Sequence, residues 1–129
     1  MSEPLQGLIL LGHGSRRPEH SDVLEEMARL LKLEFPGLRV ELAFMSLCEP
    51  GLGSIAERLV EEGVSEITVL PCFLFRGVHV TEDIPGMLEG LKGRFPSVRL
   101  ILADTLGDPT HLSRIAKERL LRAWGQRAP

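Results

Sequence analysis

The feature that most constrains this chain is a fourfold alternation of short apolar runs with longer segments whose apolar residues recur at helical spacing. Gly7 to Leu11 is a continuous apolar run. The segment after it places Val23, Leu24, Met27, Leu30 and Leu31 on one helical face and stops at Pro36-Gly37. Leu38 to Phe44 alternates as a strand with one more polar face. Pro50 then opens a helix carrying Leu52, Ile55, Leu59 and Val60, ended by Gly63. Glu66 to Phe75 holds the most apolar strand, followed by a loop and a helix with Ile84, Met87, Leu88 and Leu91 inward, stopped at Phe95-Pro96. Val98 to Ala103 is the fourth strand. Asp108-Pro109 starts the last helix, with Asp as N-cap and Pro in the first turn; it runs to about Trp124 and carries Leu112, Ile115, Ala116 and Leu120.

Apolar strands that alternate with helices predict an α/β fold: a four-stranded, mainly parallel, doubly wound sheet with helices on both faces. Right-handed crossovers limit the topology, and the expected strand order is 2-1-3-4. The 129 residues fit one domain spanning 1–129, with no linker, repeat or low-complexity segment.

Composition excludes several functions. Fifteen Lys and Arg against eighteen Asp and Glu give a formal charge of −3, and no basic stripe for nucleic acid or polybasic membrane patch occurs. No apolar stretch approaches the roughly 18 residues that span a bilayer. Met-Ser-Glu-Pro leads almost directly into a strand, so no signal peptide is expected. Cys48 and Cys72, without a CxxC pattern, form neither a disulfide scaffold nor a zinc knuckle and read as small buried hydrophobes. The expected compartment is the reducing cytoplasm.

In a doubly wound sheet, ligands bind beyond the carboxyl ends of the strands where strand order reverses, here between strands one and three. The segments leaving those strands are Gly12-His13-Gly14-Ser15-Arg16-Arg17 and Arg76-Gly77-Val78-His79-Val80-Thr81-Glu82-Asp83. His13 and His79, 66 positions apart, therefore converge on one crevice. Each has a plainer reading: Gly-His-Gly-Ser suits a tight βα turn with Ser15 capping a helix, and a loop histidine is commonly solvated. His20 and His111 lie near helix starts and read as structural. Neither a dinucleotide fingerprint, a P-loop nor a GxSxG elbow is present, so no nucleotide is expected. A histidine phosphatase wants Arg before the first-strand His, where this chain has Gly12.

Leu10-Leu11-Gly12-His13-Gly14-Ser15, Ala43-Phe44 through Glu49-Pro50, Leu70-Pro71-x-Phe73-Leu74 and Gly77-x-His79-Val80-Thr81-Glu82-Asp83-Ile84-Pro85 together resemble the short CbiX/SirB-type sirohydrochlorin chelatases, over about residues 7 to 125. The resemblance implies ATP-independent insertion of a divalent metal (Co2+, with Ni2+ and Fe2+ open) into sirohydrochlorin, for cobalamin or sirohaem synthesis. It implies His13 as metal ligand and proton acceptor and His79 as second metal ligand. It places substrate contacts at Ser46, Leu74, Phe75, Arg76, Gly77, Val78 and His79. It also implies a homodimer, since short members are similar to one half of two-lobed chelatases. No iron–sulfur cluster is expected, because the chain lacks the His-rich or Cys-rich tail of some relatives.

The residue types suit that chemistry. Metallation requires two pyrrolic protons to leave and a hydrated cation to shed water. Imidazoles ligate Co, Ni and Fe(II), and as a side-chain type they titrate near neutrality. Arg16, Arg17 and Arg76 sit on the same predicted rim and can pair with substrate carboxylates. Phe75, Met45 and Leu74 can line the ring face, whereas Phe73 reads as core. Serine at position 46 departs from the Glu found in many relatives, which makes Glu49 and Glu82 the nearby acids. A non-catalytic metal or tetrapyrrole carrier would use the same two histidines. A phosphatase would need only His13.

Overall fold

The structure, a computed structural model, describes residues 5–14, 19–45, 50–74 and 82–126. Its elements alternate in chain order as β1 (Gln6–Gly12), α1 (Glu19–Glu34), β2 (Arg39–Phe44), α2 (Leu52–Glu61), β3 (Glu66–Pro71), α3 (Ile84–Arg94), β4 (Arg99–Leu102) and α4 (Pro109–Gly125). The four strands form one parallel sheet in the order β2-β1-β3-β4, as the alternation predicted.

Register decides what each face buries. Leu10 lies between Leu42 and Leu70, and all three side chains point toward α1, where they meet Ala28, Met27 and Leu31. Ile9 and Leu11 point the other way, onto Leu52, Ile55, Ala56 and Leu59 of α2 and Ile84, Leu88 and Leu91 of α3. The central strand β1 is thus covered on both sides, which is why it reads as an unbroken apolar run.

Several boundaries differ from the sequence reading, each for a local reason. α1 buries Leu24 and Ala28, with Met27 and Leu31 partly covered, while Val23 and Leu30 are exposed. The stripe that touches the sheet is 24-27-28-31, and residues 23 and 30 lie to one side of it. α2 begins at Leu52 and not at Pro50, because Gly51 still bridges to Phe44 and the Pro50 carbonyl accepts from the Phe44 N–H. At its other end Gly63 takes a φ of 95°, with Val64 N–H bonded to the Leu59 carbonyl and Gly63 N–H to that of Val60. This is a left-handed C-terminal cap that a β-carbon would strain. β3 stops at Pro71, short of Phe75. Its neighbour β4 has already ended at Leu102, so Pro71 lies beyond the β4 ladder, where a missing N–H does not break the pairing.

The more polar face of β2 looks toward α2. Arg39 pairs with Glu62 just past that helix, and Glu41 with Arg58 at 2.7 Å. Such partly exposed pairs contribute about 0–1 kcal/mol each, so they orient the edge strand more than they stabilise it.

The fourth helix is the exception to burial. Asp108 caps it by accepting from the Thr110 N–H, and Pro109 follows, as expected. Yet α4 contributes no buried residue to either core. Ile115, Leu120, Leu121 and Trp124 are each about half exposed. Ser113, Ala116, Lys117, Leu120, Leu121 and Trp124 line a shallow groove of about 350 Å3 along one side of the helix. Among the described residues, no helix is long and apolar enough to cross a membrane.

Leu59 tests the core directly. It is fully buried, and it closes against Gly7, where a β-carbon would come within 3.2 Å of its side chain. Leu59→Ala is expected to cost about 2–5 kcal/mol with an unchanged urea m-value, read by equilibrium denaturation. A loss under 1 kcal/mol would show that α2 is loosely docked.

Candidate functional site

Parallel register brings the carboxyl ends of three strands level. Leu11 is flanked by Ala43 and Pro71, and Gly12 faces Phe44. The chain leaves each strand still hydrogen-bonded to its neighbour: Met45 N–H donates to the Gly12 carbonyl at 3.0 Å and Cys72 N–H to that of Leu11 at 2.9 Å. His13, Met45, Cys72 and Phe73 therefore share one edge of the sheet, between β2, β1 and β3, where the strand order reverses.

His13 is exposed on this edge. Its two flanking glycines do different work. A β-carbon on Gly12 would lie 2.8 Å from Leu24 and 3.1 Å from the Phe44 ring, so this glycine lets α1 and β2 close over the end of β1. Gly14 has a φ of 105°, a left-handed turn that L side chains avoid. Between them the imidazole is turned onto the Phe73 ring. The two ring centroids are 5.7 Å apart with perpendicular planes, an edge-to-face contact. Phe73 itself packs partly buried against the α2–α3 core, as its sequence reading held.

Leu74 follows Phe73 and is 54% exposed at the same edge. Ser46, Phe75, Arg76, Gly77, Val78 and His79 lie outside the described residues, as do Ser15, Arg16, Arg17, Glu49 and Cys48. Of the two acids that the sequence reading set beside Ser46, Glu82 is described and is exposed. Among the described residues, no three His, Cys, Asp or Glu side chains are grouped to hold a metal. His111 is exposed in the first turn of α4 and paired with Asp108. That partner and the Thr110 N–H lower the pKa of the Asp108 carboxyl.

Cys72 points to the α1 side with Leu8, Leu42 and Leu70, its Sγ 3.5 Å from the Leu70 carbonyl. Burial pushes its thiol up from 9.0 to about 11, against a smaller opposing pull from a backbone hydrogen bond at Leu11. A neutral thiol packed among leucines is a filler, not a ligand.

Two residues on this edge carry no recognisable sequence signal, and both lie in the loop after β4. Thr105 is buried, with Oγ1 at 2.7 Å from the Phe73 carbonyl oxygen and 3.2 Å from that of Pro71. Gly107 is packed so tightly that a β-carbon would lie 2.1 Å from the Leu74 carbonyl oxygen. Ala-Asp-Thr-Leu-Gly reads as an ordinary loop; only the tertiary contact with the β3 exit singles out these positions.

A doubly wound sheet with an exposed histidine at its reversal point defines a ligand-binding α/β protein of the crevice-edge type. Comparison with known proteins narrows this. The CbiX family model matches residues 7–123, and the chain belongs to that family. It is 34% identical to a sirohydrochlorin cobaltochelatase of Sulfurisphaera tokodaii, over 90% of this chain and 92% of that one. Among solved structures, it is similar to a cobalamin (vitamin B12) biosynthesis CbiX protein of Marinobacter aquaeolei VT8. There the identity is 29% and the TM-score 0.79, covering 95% of this chain and 99% of the other. The sirohydrochlorin chelatase SirB of Bacillus subtilis, in complex with cobalt, matches at 25% identity and a TM-score of 0.78. In that case 91% of this chain covers 50% of the longer one.

The position of Cys72 has a measurable consequence. Because folding raises its pKa, the neutral thiol contributes stability that is present below pH 9.0 and lost as pH rises through about 11. With Cys48→Ser removing the other thiol, iodoacetamide alkylation of Cys72 at pH 8 is expected to run roughly 100-fold slower than that of a free thiol and to climb steeply above pH 9. A rate equal to that of the urea-unfolded chain would refute the burial.

Proposed function

We propose that this protein inserts a divalent metal into sirohydrochlorin without a nucleotide, with His13 as proton acceptor and metal ligand. The observation that carries the reading is the place of His13: exposed, at the carboxyl end of the central strand, at the reversal point, and braced by an aromatic ring from the neighbouring strand exit. Membership of the CbiX family and the printed activity of the Sulfurisphaera relative support sirohydrochlorin as the substrate.

Two protons must leave the macrocycle as the metal enters, and the cation must exchange water for ligands. A neutral imidazole can bind the incoming metal through its lone pair and, once that is released to the ring, accept one pyrrolic proton, the second passing to solvent water. His79 is the proposed second ligand, and Ser46 and residues 74–79 the proposed contacts to the macrocycle, with Leu74 against its apolar face. Cobalt is the favoured metal, in keeping with the relative's name and the cobalt bound to SirB, and Ni2+ and Fe2+ suit the same imidazoles.

The test is an anaerobic absorbance time course of sirohydrochlorin with Co2+ and catalytic protein. Wild type is expected to accelerate the spectral shift, and His13→Ala to lose at least about 100-fold of that acceleration with its fold retained by circular dichroism. A stoichiometric shift without turnover would make the protein a carrier. A His13→Ala variant as fast as wild type would remove His13 from the chemistry.

We infer that the protein works as a homodimer. Two observations support this: the chain spans half of a chelatase of the same fold, and α4 carries a half-exposed apolar stripe with no place in either core of its own chain. A second copy is the occupant that supplies both a missing half and an apolar face. Multi-angle light scattering is expected to give a dimer at micromolar concentration for wild type and a monomer for Leu120→Glu. A monomeric wild type would overturn the inference.

A further inference from the structure

We propose that Thr105 and Gly107 are positioning residues for His13, acting through Phe73. The inference rests on the reading of His13 as the proton-accepting ligand. It goes beyond that reading by assigning work to a loop that stands far from His13 in sequence.

Past Leu102 the sheet has no β4 partner to offer the exit of β3, because the ladder between the two strands ends at the Val69–Leu102 pair. Residues 71–74 would leave their backbone acceptors without donors on that side. The loop after β4 supplies what the ladder lacks. Ala103 N–H donates to the Val69 carbonyl at 2.9 Å, and Leu106 N–H to that of Pro71 at 3.3 Å. The Thr105 hydroxyl has one proton for two carbonyls. Pro71 already receives Leu106, whereas among the described residues Phe73 has Thr105 as its donor, at the shorter distance of 2.7 Å. The Phe73 carbonyl is therefore where the hydroxyl is needed.

Gly107 completes the clamp sterically. A β-carbon there would meet Leu74 C at 2.5 Å and the Phe73 carbonyl oxygen at 2.9 Å as well as the Leu74 oxygen, all of them backbone atoms that cannot swing aside. The backbone of residues 73–74 is thus held between a hydrogen bond and a close approach. That backbone sets the direction of the Phe73 ring, and the ring is the surface against which the His13 imidazole stands edge-to-face. His13 is on an exposed turn, and this contact is one that directs its imidazole.

The experiment pairs activity with a readout of ring geometry. In wild type, nuclear Overhauser contacts between the His13 and Phe73 rings are expected. Thr105→Val, which keeps shape and removes the hydroxyl, is expected to weaken those contacts and slow Co2+ insertion by about 10-fold, and Thr105→Ser to restore both. Gly107→Ala, with the hydroxyl in place, is expected to reproduce the loss. Should Thr105→Val fail to fold, Phe73→Leu, which leaves the carbonyl bond and removes the ring, is expected to slow insertion likewise. If Thr105→Val changes thermal stability alone, or if Phe73→Leu inserts metal normally, while His13→Ala is inactive, the inference falls and the reading of His13 stands. If His13→Ala is itself fully active, the reading falls first, whatever Thr105 does.

Discussion

Everything at the candidate site depends on the pairing of β1 with a parallel neighbour on each side. Once Leu10 is set between Leu42 and Leu70, the next pairs follow without choice, and the three strands finish level at Gly12, Phe44 and Pro71. A slip of one residue would turn Ile9 and Leu11 out of the α2–α3 core and would move His13 off the edge at the same time. Core burial and site geometry are therefore one constraint. The apolar energy that fixes register also sets where the turn carrying the imidazole leaves the sheet.

The alternation of apolar runs and helical stripes was enough to read element order, because period is a local property, while strand order and the reversal point came from the right-handed crossover rule and the doubly wound pattern. Strand and helix ends were less legible. Pro50 resembles a helix opener, yet the tertiary bridge from Phe44 to Gly51 delays α2 by two residues. Val23 and Leu30 look inward beside Leu24 on a helical wheel, and only the docking of α1 shows that Leu24 and Ala28 are buried while those two are not. At the site, His13 stood out because glycines flank it after an apolar run. Thr105 and Gly107 did not, since a hydroxyl aimed at a carbonyl 32 residues away leaves no pattern in the chain.

The edge also shows how small residues divide labour. Gly12 allows close approach of two elements, Gly14 a turn of unusual hand, and Gly107 a backbone passing over a backbone. Each stands where a β-carbon would cost either contact or conformation: Gly12 lets α1 and β2 close on the end of β1, and Gly107 lets the loop after β4 lie against the exit of β3. Among the described residues, His13, Met45, Cys72, Phe73 and Leu74 share this edge.

The half-exposed stripe of α4 bears on what the core requires. Since no residue of this helix is buried in either core, the packing of the sheet against the first three helices does not draw on it. Under the proposed pairing of two copies, folding of the sheet and burial of α4 become separate events on separate clocks: the first is unimolecular, and the second waits on an encounter and slows with dilution.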